Sequence, residues 1–245
     1  FLALHGTFGE DGGVQKILER LQVPFTGSDS RASRLAFSKA AAKQCFREHG
    51  VPTPEAFLFS QSDSLSEIET RVGNLGLPVV VKPDAQGSSI GVTIVRDVSR
   101  VAEAVEQCHA VSEIGLIEKA IEGSEWTLGV IGKVPLPLIQ IRTDRGFFDF
   151  TAKYEDDGTG YHFDAAIDEA TRRRIESVGL AACRALGTSG IARADVMLDA
   201  DGNPWVLEVN TIPGMTDHSL VPKAANRTGL SLGALCDLVI SKTLA

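Results

Sequence analysis

Two short segments near the C-terminal end, Ile191-Ala192-Arg193-Ala194-Asp195 and Trp205-Val206-Leu207-Glu208-Val209-Asn210, carry two carboxylates, an amide and a guanidinium at alternating positions. In a β-strand this alternation puts Arg193 and Asp195 on one face and Ala192, Ala194 and Val196 on the other; Glu208 and Asn210 repeat the spacing. Between the segments lies Asp201-Gly202, a strong hairpin signal, so the strands are expected to pair antiparallel and gather the four polar groups on one face. Asp195, Glu208 and Asn210 are hard oxygen donors that suit Mg²⁺, with phosphate oxygens completing its shell. The competing reading is a polar sheet face with a surface ion pair.

A second constellation is Lys82-Pro83-Asp84-Ala85-Gln86-Gly87-Ser88-Ser89-Ile90-Gly91-Val92. It reads as a hairpin loop with exposed amides, two hydroxyls and a lysine at its base, able to fold over phosphates. It is not a Walker loop, because the glycine and lysine spacing differs and a strand follows rather than a helix; taken alone, it is equally an ordinary turn. Lys39 on an earlier helix and Lys153 in Ala152-Lys153-Tyr154 are further cations, although lone lysines ordinarily belong to solvated surface. Residues 155–163 are polar and glycine-rich, as a loop closing over a site would be, or a plain surface loop.

These groups need elements to hold them. Apolar spacing predicts helices around Val14, Ile17, Leu18 and Leu21, over residues 33–49, around Leu65, Ile68, Val72 and Leu75 up to Gly76, around Val98, Val101 and Val105, over 168–186, and around Leu232, Leu235, Val239 and Ile240. Residues 79–81 read as a buried β-branched strand that Lys82-Pro83 stops, with further strands at 92–95 and 116–119 and several antiparallel strands from 125 to 150. The opening Phe1-Leu2-Ala3-Leu4 reads as the end of a buried strand running into a glycine loop. Helices mixed with mostly antiparallel strands predict an α+β class, divided near Glu118.

Composition excludes several roles. With 32 acidic and 24 basic residues in 245, and the basic ones scattered, a nucleic-acid surface is not indicated. No apolar stretch reaches the length of a membrane span and no signal peptide opens the chain, so a cytoplasmic location is expected. Cys45, Cys108, Cys183 and Cys236 are far apart, form no CxxC pair and read as core-filling thiols in a reducing compartment.

Taken in order, the segments resemble the D-alanine–D-alanine ligases of the ATP-grasp superfamily over essentially the whole chain. The matching runs are Leu4-His5-Gly6 with Gly9-Glu10-Asp11-Gly12, Lys82-Pro83 with Gly87-Ser88-Ser89-Ile90-Gly91-Val92, Ala152-Lys153-Tyr154, Arg193-Ala194-Asp195, Glu208-Val209-Asn210-Thr211, and Pro213-Gly214-Met215-Thr216 with His218-Ser219-Leu220-Val221-Pro222. The resemblance implies an ATP-grasp fold of two α+β subdomains clasping ATP, residues 28–118 and 119–245, behind a remnant of an N-terminal α/β domain at 1–27. It implies ATP-dependent ligation of two D-alanines through an acyl phosphate, for peptidoglycan precursor synthesis.

By the same resemblance, Lys39 and Lys82 hold the ATP phosphates, Ser88 and Ser89 lie in the loop covering them, and Lys153 reaches the transferred phosphoryl group. Glu118-Lys119-Ala120-Ile121 forms the adenine hinge, with Glu125 at the ribose. Asp195, Glu208 and Asn210 bind two Mg²⁺ ions, with Mn²⁺ an alternative. Arg193 and the Gly214 amide stabilise the oxyanion, Ser219 and Leu220 hold the carboxylate of the second D-alanine, His5 lies near the first, and Tyr154 pairs with Ser88. Retention of Lys153-Tyr154 favours an amine rather than a hydroxyl acceptor. Three departures are Gln86 where the family often has glutamate, Ser38 where it commonly has aspartate, and an opening at Phe1 beyond the N-terminal strand, glycine loop and glutamate with which family members bind the ammonium of the first D-alanine. A homodimer joined through the leading helices is expected. The alternatives are an inactive, N-terminally truncated nucleotide-binding fragment and an ATP-grasp carboxylate–amine ligase of other specificity.

Overall fold

A computed structural model describes residues 1–88, 90–142, 160–163 and 165–244. The described helices are α1 (Gly13–Arg20), α2 (Ser30–Phe37), α3 (Lys39–Glu48), α4 (Leu65–Leu75), α5 (Val101–His109), α6 (Glu169–Leu186), α7 (Leu220–Asn226) and α8 (Leu232–Leu244). The strands are β1 (Ala56–Ser60), β2 (Val79–Pro83), β3 (Thr93–Val95), β4 (Ile114–Lys119), β5 (Gly123–Ile131), β6 (Val134–Pro135), β7 (Ile139–Arg142), β8 (Gly160–His162), β9 (Ile191–Asp199) and β10 (Pro204–Asn210). They form two sheets in which every pairing is antiparallel, so the α+β expectation holds.

The smaller sheet runs β1-β4-β2-β3, and α4 and α5 lie against it. Helix α4 has the boundaries its apolar spacing predicts. Ser64 and Glu67 form a capping box at its start, and Gly76 ends it, because reciprocal side-chain bonds satisfy amides left open in the first turn. Ile68 and Val72 from α4 meet Val79, Val81 and Ile117 of the sheet and Val101, Ala104 and Cys108 of α5. Here Gly115 allows close packing, since a Cβ at that position would fall 2.1 Å from the Phe59 ring and 2.9 Å from Cys108 Sγ. Gly115→Ala should therefore destabilise the protein by about 1–3 kcal/mol, the usual cost of overpacking; a denaturant midpoint equal to that of the parent protein would refute it.

The larger sheet runs β10-β9-β5-β7-β8, with β6 paired to β5. One core lies between this sheet and α3 and α6, built on Trp126, Leu128, Ala194, Val196, Ile175 and Phe46. A second core gathers Ile131, Ile139 and Ile191 with α7 and α8.

Four expectations are corrected. Phe1-Leu2-Ala3-Leu4 is not a buried strand: Phe1 and Leu4 are about half exposed, and the Leu2 amide donates to Thr26 Oγ1 rather than into a ladder. The helix expected over 33–49 is two helices. Asp29 caps the first by accepting from the Ala32 amide; at Ser38 the backbone turns extended, and the Ser38 hydroxyl accepts from Ala41 N while donating to Asp84. Asp84 also accepts from the amides of Lys39 and Ala40, so contacts 44 to 46 residues away in sequence impose the break. Lys82 and Pro83 belong to β2 instead of stopping it. The end of the loop expected at 155–163 forms β8, paired with β7.

Candidate active site

A cleft of about 600 Å³ is lined from both sheets. Its polar wall is the β9–β10 hairpin. Glu208 stands opposite Asp195 and Asn210 opposite Arg193, so the four groups share one face as the alternation requires. They do so only because of a β-bulge. From Trp205↔Met197 and Val206↔Val196, a regular ladder would set Leu207 opposite Asp195 and turn Glu208 toward the core; the shift between Val206 and Glu208 inserts one residue and returns Glu208 to the cleft. The opposite face is core, with Ala194, Val196 and Val206 fully buried and Val209 nearly so.

Asp195 is the most firmly held of the four. Arg193 grips it bidentately, Nε to Oδ1 at 2.9 Å and Nη2 to Oδ2 at 2.8 Å, and the Thr127 hydroxyl of β5 donates to Oδ1 at 2.7 Å. Of the four lone-pair directions of a carboxylate, three are thus taken and one, on Oδ2, remains for a ligand. Burial pulls the Arg193 pKa down, but the Asp195 carboxylate outweighs it and holds the guanidinium above its ordinary value. Asn210 Oδ1 accepts from the Ile212 amide at 2.8 Å. Among the described residues no three His, Cys, Asp or Glu side chains converge; the donor set here is two carboxylates and an amide, hard oxygens that fit Mg²⁺ if phosphate oxygens supply the rest.

The two lysines face this wall. Lys39, at the start of α3, is 8 % exposed; its ammonium donates to the Gln86 carbonyl at 2.7 Å and stands 3.7 Å from Glu208 Oε2. Burial lowers its pKa, and Glu208 offsets part of that. Lys82, on β2, pairs with Glu118 Oε1 on β4. Glu118 is nearly inaccessible; burial raises its carboxyl pKa, but Lys82 and Lys43 outweigh that and hold it below the ordinary 4.5. Lys43 and Thr127 are contacts that motif reading did not find. The available signals were the four-residue step from Lys39 to Lys43 along one helix face and the two-residue step from Glu125 to Thr127 along one strand face.

Ser88, at φ 57°, Lys119, Ala120, Ile121 and Glu125 also line the cleft. The Lys119 ammonium donates to the carbonyls of Gly76 and Leu77 just beyond α4. Beside the cleft a small recess joins Lys39, Glu208 and Asn210 to Glu10, whose carboxylate lies 3.2 Å from His5 Nδ1. Gly214 packs against Ser219, since a Cβ there would fall 2.7 Å from the serine hydroxyl, and Ser219 with Leu220 opens α7. Ser89, Lys153 and Tyr154 lie outside the described residues.

Two buried ammonium groups and a carboxylate pair thus line one cleft. The sequence profile of the family described as D-ala D-ala ligase C-terminus matches residues 45–241. The chain belongs to the D-alanine–D-alanine ligase family. It is 43 % identical over 244 residues to the D-alanine–D-alanine ligase of Hydrogenovibrio crunogenus, an alignment that takes in 100 % of this chain and 77 % of that protein. The structure of the ligase from Bacillus anthracis complexed with ATP superposes with a TM-score of 0.87 at 34 % identity, covering 98 % of this chain and 77 % of that one. The VanG D-Ala:D-Ser ligase of Enterococcus faecalis gives 0.89 at 31 % identity, covering 98 % and 71 %. The fold is the ATP-grasp fold of this family.

Proposed function

We propose that the protein ligates two D-alanines to D-alanyl-D-alanine with ATP, making a peptidoglycan precursor. One observation carries the reading: the bulge in β10 sets Glu208 against Asp195 on the wall of a cleft into which Lys39 also reaches. A carboxylate is a poor acyl donor, so its oxygen first takes the γ-phosphoryl group of ATP, releasing ADP; the amine of the second D-alanine then attacks the carbonyl carbon, and phosphate leaves.

Each step loads charge onto oxygens. Lys39 and Lys82 offset the triphosphate, with Lys153 at the transferred group and Ser88 and Ser89 covering it. Adenine packs in the hinge Glu118-Lys119-Ala120-Ile121, against apolar side chains such as Met197 and Leu207, and Glu125 takes the ribose. The Lys119 ammonium, with two of its three donors on the Gly76 and Leu77 carbonyls, keeps the third for the base. Asp195, Glu208 and Asn210 would hold two Mg²⁺ ions, which would supply positive charge to offset that developing on the transferred phosphoryl group. Arg193 and the Gly214 amide stabilise the oxyanion. His5, held by Glu10, stands by the first D-alanine, and Ser219 and Leu220 fix the carboxylate of the second.

In this reading residues 28–118 and 119–245 are the two clasping units. A homodimer through the leading segment is supported by the apolar side chains it exposes, Phe8, Ile17 and Leu21 among them. Free thiols and use of ATP fit the cytoplasm, and no described helix is long and apolar enough to cross a membrane.

The test is phosphate release with D-alanine against other amino acids. The D-Ala:D-Ser neighbour makes D-serine as second substrate the comparison that matters. Lys82→Ala should weaken ATP binding by about 10–100-fold, the worth of a charge-assisted bond. No phosphate release with D-alanine while ATP still binds would end the ligase reading, and unchanged ATP binding in the lysine variant would remove Lys82 from the phosphate site.

A further inference from the structure

One turn beyond Lys39, α3 carries Lys43, whose side chain is 1 % exposed. Its ammonium meets three oxygens, one in an ion pair and two as hydrogen-bond acceptors. It stands 2.7 Å from Glu118 Oε2, and it donates to Thr53 Oγ1 at 2.8 Å and to the Pro54 carbonyl at 3.2 Å. The other oxygen of Glu118 is the one that meets Lys82. On the second side, the Thr53 hydroxyl donates onward to the Val206 carbonyl at 2.8 Å, and the Val206 amide donates to Pro52 at 2.9 Å. Val206 is the last regular residue before the bulge that aims Glu208.

A buried ion pair is a poor device for stability alone, since apolar packing of the same volume usually does as well. This one is placed between the two halves of the site. We propose that Lys43 is a positioning residue: it occupies one oxygen of Glu118 so that the carboxylate engages Lys82 through the other alone, leaving the Lys82 ammonium available to ATP phosphates, and through Thr53 it ties the strand bearing Glu208 to the same point. This rests on the reading that Lys82 binds those phosphates. Without Lys43, Glu118 is free to take Lys82 with both oxygens and draw it out of the cleft.

The charge of Lys43 supports the same picture. Burial draws its pKa down to about 8; Glu118 on β4 offsets part of this, while Lys82 on β2 and Arg47 on the same helix push it lower. ATP affinity should therefore weaken as pH rises through about 8.

The experiment measures ATP binding, with magnesium present, by Lys43→Met, Lys82→Ala and the double variant Lys43→Met/Glu118→Gln. Lys43→Met should weaken binding about tenfold and remove the pH step. The double variant should bind ATP better than Lys43→Met, because a neutral amide no longer captures Lys82; a structural role alone would leave it equal or worse, and that result overturns the proposal. If Lys82→Ala weakens binding and Lys43→Met does not, the inference fails while the phosphate reading stands; if Lys82→Ala has no effect, that reading fails. Should Lys43→Met not fold, Lys43→Gln, which keeps an amide donor for Thr53 but loses the charge, takes its place, and ATP binding equal to that of the parent protein overturns the proposal.

Discussion

Glu208→Gln is expected to lower turnover by roughly 10²–10³-fold while leaving ATP binding largely intact, a loss of the size seen when one group stabilising transition-state charge is removed. The substitution keeps shape and hydrogen-bonding reach, so the bulge and the packing of Val206 and Val209 should survive. What goes is one of the two carboxylate charges on this wall of the cleft. Asp195 cannot compensate, because Arg193 and Thr127 already occupy three of its four acceptor directions. In the proposed reading ATP keeps Lys82, Lys39 and the adenine hinge, contacts made before charge moves. Phosphate release with D-alanine, beside calorimetric ATP binding, separates the two quantities; equal turnover in the variant would take Glu208 out of the metal site.

Glu118→Gln should act on the fold instead. Two ammonium groups, those of Lys43 and Lys82, share this carboxylate in surroundings almost closed to water. Removing one partner of a buried charge set while leaving the others costs about 3–5 kcal/mol, and for a chain of this size that is a fall in Tm of roughly 10 °C. The pH dependence has a definite sign. Despite burial, which raises it, the Glu118 pKa is held below 4.5 by Lys82 and Lys43, so the stability it contributes is present above that value and is lost as pH falls through the lower folded one. The gap in Tm between parent and variant should be full at pH 7 and narrow below about 4.5. Equal melting at pH 7 would show that the lysines do not depend on Glu118.

Much of this site is legible in local sequence. Alternation along 191–196 and 208–210, with a turn whose Asp199 accepts from the Asp201 and Asn203 amides, is local chemistry, and it correctly puts Arg193, Asp195, Glu208 and Asn210 on one face. Helix α4 was legible for the same reason, since its cap and its Gly76 terminator lie within the segment itself. Lys39 reads from sequence as an exposed lysine; its burial is set by Gln86 and Glu208, which are remote in the chain.

Residue types, the strand alternation that groups them, most helices and, through the order of the motifs, the family all follow from the chain's local chemistry. Tertiary structure decided the rest: the break at Ser38 imposed by Asp84, the extra residue in β10 that turns Glu208 outward, and the burial of Lys43 between Glu118 and Thr53. The first joins residues 44 to 46 positions apart, the second is set by the register within one hairpin, and the third joins Lys43 to residues 10 and 75 positions away. A side chain's face follows from its neighbours along the chain, but its register, charge environment and partner depend on which distant strand or helix the core brings against it.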